Sequence, residues 1–224
     1  MAISVAIAVE DSLSECILRR LINYSRRDIT VRVRFPLKTL PGGRYNVRNI
    51  TQRRGLSGYG QLKVNLPAFN KAADSNFPYM VLTDLDVHVR CPGQLLPKWL
   101  LRASPSPNLL FRVAVREVEA WLLADSANLA KHLDVDLTKM PVGVEALADP
   151  KVEIVNLARL SNSSVIRDDM LPESGSTAEV GPYFERVLLN FAREQWDIGE
   201  AAKNSRSLAK TIAAIDRFKP NAVT

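Results

Sequence analysis

Polarity along the chain alternates between short apolar runs and helical periods. ISVAIAVE (residues 3–10) is β-branched and apolar, and it predicts a buried strand ending in a carboxylate, Glu10. In the next segment Leu13, Cys16, Ile17 and Leu21 recur at helical spacing, with Ser12 or Ser14 available as a cap. ITVRVRF (29–35) alternates strictly, which predicts a second strand with one face exposed or near a sheet edge. Residues 36–61, rich in Gly, Arg and Asn, hold no sustained period and read as a long loop, with a helix expected to begin near Pro67. PYMVLTDLD (78–86) predicts a third strand and NLLFRVAV (108–115) a fourth, separated by the helical segment 92–104. REVEAWLLADSANLAKHL (116–133) reads as one helix, and helices are expected again over 151–161, 181–196 and 205–218.

This order, β-α repeated four times and then helices only, predicts an α/β sandwich with a mostly parallel central sheet. The expected division is an α/β core over 1–135 and a helical C-terminal extension, 136–224, packed on it. With 224 residues, 46% hydrophobic and 24% charged, the chain is long and apolar enough to bury a substantial core. No apolar run approaches the roughly 20 residues that span a bilayer, so no membrane association is expected. MAISVAIAV lacks a basic start and reads as a strand rather than a signal peptide. Cys16 and Cys91 stand far apart with no zinc-site spacing, which suits a reducing, cytoplasmic location. His88 and His132 are the only histidines, so chemistry built on several imidazoles is excluded.

Charge adds one asymmetry. Residues 29–73 contain Arg32, Arg34, Lys38, Arg44, Arg48, Arg53, Arg54, Lys63 and Lys71 and no acid, whereas the whole chain carries only +6. A slightly acidic body with one basic segment is the footprint of a polyanion contact, although a solvated loop short of acids has the same composition. Arg44, Arg48, Arg53, Arg54 and Lys63 are the candidate nucleic-acid contacts.

The acids fall at the predicted strand ends: Glu10 after the first, Asp84 and Asp86 after the third, Glu117 and Glu119 after the fourth. Ligands of open parallel sheets bind outside the carboxyl ends of the strands. Like charges gathered there are costly unless a cation neutralises them. Oxygen donors without a His or Cys cluster suit Mg²⁺ or Mn²⁺, which retain waters and leave room for phosphate. The candidate metal ligands are therefore Glu10, Asp84, Asp86, Glu117 and Glu119. Each acid has a plainer reading as a solvated turn or helix start, where a carboxylate is favoured anyway. Lys151, at a predicted helix start, is a candidate phosphate contact or an ordinary surface lysine. Arg116 and Arg206 stand similarly, His88 is a candidate acid or a turn residue, and Trp121 reads as core.

A strand ending in glutamate, a helix, and a later strand ending in Asp-x-Asp resemble the Toprim signature of topoisomerases, bacterial primases and OLD-type nucleases. More closely, VEDSLSECILRRLI, VLTDLDVHVRCP, LLFRVAVREVEAWLLAD, DPKVEIVNLARLS, VGPYFERVLLNF and SRSLAKTI resemble the bacterial domain-of-unknown-function 4276 family, which is grouped with Toprim-like proteins. The resemblance covers nearly the whole chain, and REVEAWLLAD is its most specific piece. It implies a Toprim-like Rossmannoid core, Mg²⁺-dependent phosphodiester chemistry and association with an ABC/SMC-type ATPase in anti-phage defence. Glu10 matches the Toprim glutamate, Asp84 and Asp86 its Asp-x-Asp, and Glu15 the second acid of OLD-type nucleases. The chain departs from the pattern in carrying Asp11 where glycine is usual, and in a Glu10-to-Glu15 spacing one residue longer. Asp11 thereby becomes a candidate to replace or supplement a ligand.

The expected function is a metal-dependent nuclease subunit, DNA preferred to RNA as substrate, with Glu10, Asp84, Asp86, Glu15, Glu117 and Lys151 as catalytic candidates. A non-catalytic metal- or nucleic-acid-binding regulatory subunit of an ATPase complex is the main rival, and a homodimer is an open option. A phosphohydrolase of small nucleotides ranks lower, since LSGYGQ is a poor substitute for a phosphate-binding glycine loop.

Overall fold

A computed structural model describes residues 2–35, 58–75, 77–85 and 91–221. Four strands, β1 (Ile3–Ala8), β2 (Ile29–Phe35), β3 (Tyr79–Asp84) and β4 (Leu109–Ala114), form one sheet in the order β2-β1-β3-β4. β1 pairs in parallel with both β2 and β3, with a register shift against β2 between Val5 and Ala6. Among the described strands the alternating β2 stands at the edge of the sheet, one of the two outcomes its pattern predicts. The chain steps from β1 to one side for β2 and to the other for β3, so the topological switch point lies between β1 and β3.

Helix α1 (Ser12–Ser25) buries Leu13, Ile17, Leu18, Leu21 and Ile22, the apolar stripe its sequence shows. On one sheet face Ala6, Ala8, Tyr79 and Val81 pack with Leu62, Leu66 and Phe69 of α2 (Gly58–Ala73) and with Leu95 and Trp99 of α3 (Leu95–Trp99). Phe69 joins this layer across the sheet, edge-on to Phe35 at 4.9 Å and stacked on Tyr79 at 5.3 Å.

The helix expected near Pro67 begins nine residues earlier, at Gly58, with Pro67 inside it. Proline deprives a helix interior of one hydrogen bond. The buried face of Leu62, Leu66, Phe69 and Ala73 runs through it regardless, so core packing overrides the local signal. The single helix expected over 116–133 is two, α4 (Val118–Leu123) and α5 (Ser126–Leu133). Asp125 makes the break: its backbone is non-helical, and its buried carboxylate accepts from Asn128 Nδ2 and from the Asp197 N–H at 2.7 Å. Helices α6 (Pro150–Arg159), α7 (Ser164–Met170), α8 (Phe184–Glu194), α9 (Ile198–Asn204) and α10 (Arg206–Asp216) complete the chain. α7 and α9 are too short to show a period.

Two compact units divide the chain: Met1–Val113 with Thr211–Thr224, and Ala114–Lys210. The sequence reading places one boundary after residue 135; the division falls at the end of β4, and residues 211–224 return to the first unit. Arg26 holds that return, donating through Nη1 to the carbonyls of Asp216 at 3.1 Å and Phe218 at 2.8 Å. Helical periodicity carries no trace of such a long-range tie. Among the described residues no helix is long and apolar enough to cross a membrane.

Candidate functional site

The first unit brings two of the predicted acids together at the switch point. Glu10 lies two residues beyond β1 and Asp84 ends β3, the adjacent parallel strand. Glu10 Oε1 accepts a hydrogen bond from Thr83 Oγ1 at 2.5 Å and another from the Asp84 N–H at 3.0 Å. The carboxylate of one strand end is thus tied to the next strand beside the second acid. Both acids are half-buried, between the core and solvent.

Gly58, the first residue of α2, closes this corner. A Cβ there would lie 2.5 Å from the Glu10 carbonyl oxygen and 2.8 Å from its Cα and Cβ, so only glycine lets the helix start against Glu10. Sequence reasoning missed both Gly58 and Thr83. The GYG of 58–60 was the available signal, but it lay in a segment read as loop.

Asp11, the departure from the resemblance, has a structural part. It is the N-cap of α1, with Oδ1 accepting from the Ser14 N–H at 2.7 Å, and neither Ser12 nor Ser14 takes that place. Glu15 lies between two guanidinium groups. Arg19 Nε donates to Oε1 at 2.9 Å, and Arg34 Nε stands 2.7 Å from Oε2. The Arg34 Nε–H is not aimed along a hydrogen bond, so that contact is charge pairing, and Arg34 Nη2 donates to the Asp11 carbonyl at 3.3 Å. Glu15 therefore takes part in an ion-pair network that also steadies the start of α1.

Glu117 and Glu119 lie in the second unit. Glu117 precedes α4, but its carboxylate turns to another helix, Oε2 accepting from the Lys151 N–H at the start of α6 at 3.2 Å. Burial pushes its carboxyl above the ordinary range; Asp149 and Glu179 add to this, against the Lys151 charge and N–H. Glu119, expected either at a metal or in solvent, is 6% exposed, with Lys151 Nζ at 4.0 Å from Oε1. Arg116, immediately before Glu117, adopts φ +68, a left-handed conformation rare for a residue with a side chain. Asp149 caps α6 through the Val152 N–H at 2.8 Å, with Pro150 at its first position.

REVEAWLLAD is an internal anchor of the second unit. Trp121 is fully buried and donates from Nε1 to Ser207 Oγ at 2.7 Å. Ser205 Oγ donates to Glu145 at 2.7 Å and the Ser207 N–H donates to the same oxygen at 2.5 Å, so Glu145 seals the start of α10. Arg206 lies near enough for its charge to act on Glu145. His132 is also structural, with Nε2 3.1 Å from the Val187 carbonyl and its ring 5.3 Å from that of Phe191.

Lys63 is exposed on α2, outside its set of buried residues. Asp86, His88, Arg44, Arg48, Arg53 and Arg54 lie outside the described residues. Among the described residues no three His, Cys, Asp or Glu side chains gather to hold a metal ion.

No known protein family, no curated protein and no solved structure matches the chain.

Proposed function

We propose that the chain is a Mg²⁺- or Mn²⁺-dependent, Toprim-like nuclease subunit that hydrolyses nucleic-acid phosphodiester bonds, DNA in preference to RNA. The observation that carries this reading is Glu10, hydrogen-bonded to Thr83 and to the Asp84 N–H at the carboxyl ends of adjacent parallel strands. Two oxygen-donor side chains at such a place suit a hard cation that keeps most of its waters and takes phosphate oxygens as further ligands. A bound ion of this kind supplies charge neutralisation and an activated water. Thr83 and the Asp84 N–H orient Glu10, and Gly58 keeps its backbone in place. The resemblance to the 4276 family supports this reading and adds an ABC/SMC-type ATPase partner, anti-phage defence and a cytoplasmic setting.

A second reading, a non-catalytic binding subunit, draws support from the ion pairs that engage Glu15. Cleavage of plasmid and oligonucleotide by the purified chain, with Mg²⁺ or Mn²⁺ and with chelator, separates the two. The nuclease reading expects metal-dependent cleavage that disappears in Glu10→Gln and Asp84→Asn. Nucleic-acid binding with no cleavage, alone or with an ATPase partner, rejects it in favour of the second.

A further inference from the structure

Arg34, on β2, and Arg19, on α1, meet across one carboxylate. Arg19 Nε donates to Glu15 Oε1 at 2.9 Å and Arg34 Nε lies 2.7 Å from Oε2, so each oxygen of Glu15 faces one guanidinium. The Arg34 side of this contact is incomplete. Its Nε–H is buried with no acceptor in line, Nη2 reaches only the Asp11 carbonyl at 3.3 Å, and Nη1 has no protein partner among the described residues. Arg26, in the same unit, shows a completed pair: Nε and Nη2 each donate to Asp28 at 2.7 Å. Asp11 does not make up the difference, since its carboxylate caps α1 at the Ser14 N–H. Solvent reaches the cluster through Glu15 and Arg19, whose side chains are 22% and 42% exposed.

Two guanidinium groups on one carboxylate leave a positive charge over in a partly desolvated place, which is unfavourable for the folded chain by itself. A phosphate presents two oxygens at nearly the spacing of a carboxylate and matches the guanidinium fork equally well. It fits where Glu15 Oε1 and Oε2 lie, and Glu15 yields readily, because its pair with Arg19 is a solvent-facing contact one helical turn long. The place is next to the corner where Glu10 meets Asp84. Arg34 lies opposite Ile7 in the register of β1 and β2, and its Nη2 bonds the residue that follows Glu10. The chain's positive excess lies in the same unit, since residues 114–210 hold more Asp and Glu than Lys and Arg. We propose that Arg19 and Arg34 form a phosphate site for which Glu15 is the internal stand-in, and that its ligand is a backbone phosphate of bound nucleic acid. Phosphate as the ligand rests on the arginine pair; nucleic acid as its source rests on the function proposed above.

Thermal unfolding of the full chain in inorganic phosphate, against chloride at matched ionic strength, tests the site. Glu15→Gln is expected to gain more Tm from phosphate than wild type does, because its arginines no longer hold a carboxylate. The extra gain should vanish when Glu15→Gln is combined with Arg34→Gln or with Arg19→Gln. The Arg19 combination carries the test if Arg34→Gln does not fold, since the Arg19 side chain is the more exposed. An extra gain that persists in the double variants comes from net charge alone and overturns the site, as does the lack of any extra gain in Glu15→Gln. Anisotropy of a fluorescent oligonucleotide in chelator, across salt concentrations, tests the source. Glu15→Gln should bind about threefold tighter than wild type, the size of one solvent-facing ion pair. Arg19→Gln should bind about tenfold more weakly and lower the salt slope by about one. Oligonucleotide binding that is absent, or that these variants leave unaltered, overturns the nucleic-acid source. Neither measurement needs a metal ion, so failure of metal-dependent cleavage leaves both results standing and the two proposals fail separately.

Discussion

Glu10 and Glu145 are held by almost the same hydrogen bonds and serve different ends. Each carboxylate oxygen accepts one hydroxyl and one backbone N–H: Thr83 and Asp84 for Glu10, Ser205 and Ser207 for Glu145. Around Glu145 everything closes. The oxygen seals the start of α10, Ser207 passes the contact on to buried Trp121, and Arg206 supplies the opposing charge. Burial pushes the Glu145 carboxyl up, but the Ser207 and Ser205 bonds and Arg206 outweigh it and hold it below its ordinary value. Beside Glu10 stands another acid, Asp84, at the end of the adjacent parallel strand, on the sheet edge where open parallel sheets bind ligands. The hydrogen bonds orient a carboxylate; the neighbouring charges and the place in the fold decide what that carboxylate is for.

The sharpest break of this comparison is to truncate both acids. Glu145→Ala leaves the Ser207 N–H and the Ser205 hydroxyl without their acceptor and should cost about 3 kcal/mol in chemical denaturation. Glu10→Ala should cost less, about 1–2 kcal/mol, because of its partners only Thr83 is buried whereas Ser205 and Ser207 both are, and it should abolish cleavage. Equal losses of stability would remove the distinction. Next in size is Gly58→Ala, whose methyl group overlaps the Glu10 backbone. About 2 kcal/mol of destabilisation is expected, with cleavage lost although no acid has changed.

Acid titration sharpens the contrast further, with Glu117 as a third case. Glu145 has a depressed folded value, so its contribution is present above the ordinary 4.5 and lost as pH falls through that lower value. Glu117 has a raised folded value, so its burial destabilises at neutral pH, and the folded chain regains stability as pH falls towards 4.5. Glu117→Gln should therefore stabilise at pH 7 by roughly 0.5–1 kcal/mol, allowing for solvent screening, and the gain should vanish below pH 4. Urea midpoints at pH 7 and pH 4 test the sign. The smallest effect belongs to Glu15→Gln, which breaks the pairs with Arg19 and Arg34 and should cost about 0.5 kcal/mol. Retained cleavage in that variant would place Glu15 with the structural acids, and its loss with Glu10.

Much of the fold was legible because its signals are local. Strict alternation in residues 29–35 predicts a strand with one face exposed or near an edge, and β2 stands last among the described strands; Asp149-Pro150 marks the start of α6, since capping and a fixed proline φ act within a few residues. Period also led to error where a distant partner mattered. Apolar spacing runs through Asp125, yet its carboxylate is committed to the Asp197 N–H, and the helix breaks there. Pro67 advertises a helix start, yet the buried face on both sides of it keeps one helix continuous.

The candidate site divides the same way. Sequence alone determined which residues carry charge, that acids follow the strands, and that an α/β alternation builds a parallel sheet. It could not determine which acid receives which partner. Tertiary structure set Asp84 beside Glu10, placed arginines on both sides of Glu15, and buried Glu119 near Lys151. The physical reason is range: propensity, capping and period act over one or two turns, whereas the charge state and purpose of a carboxylate depend on groups far along the chain, 74 residues away for Glu10 and Asp84.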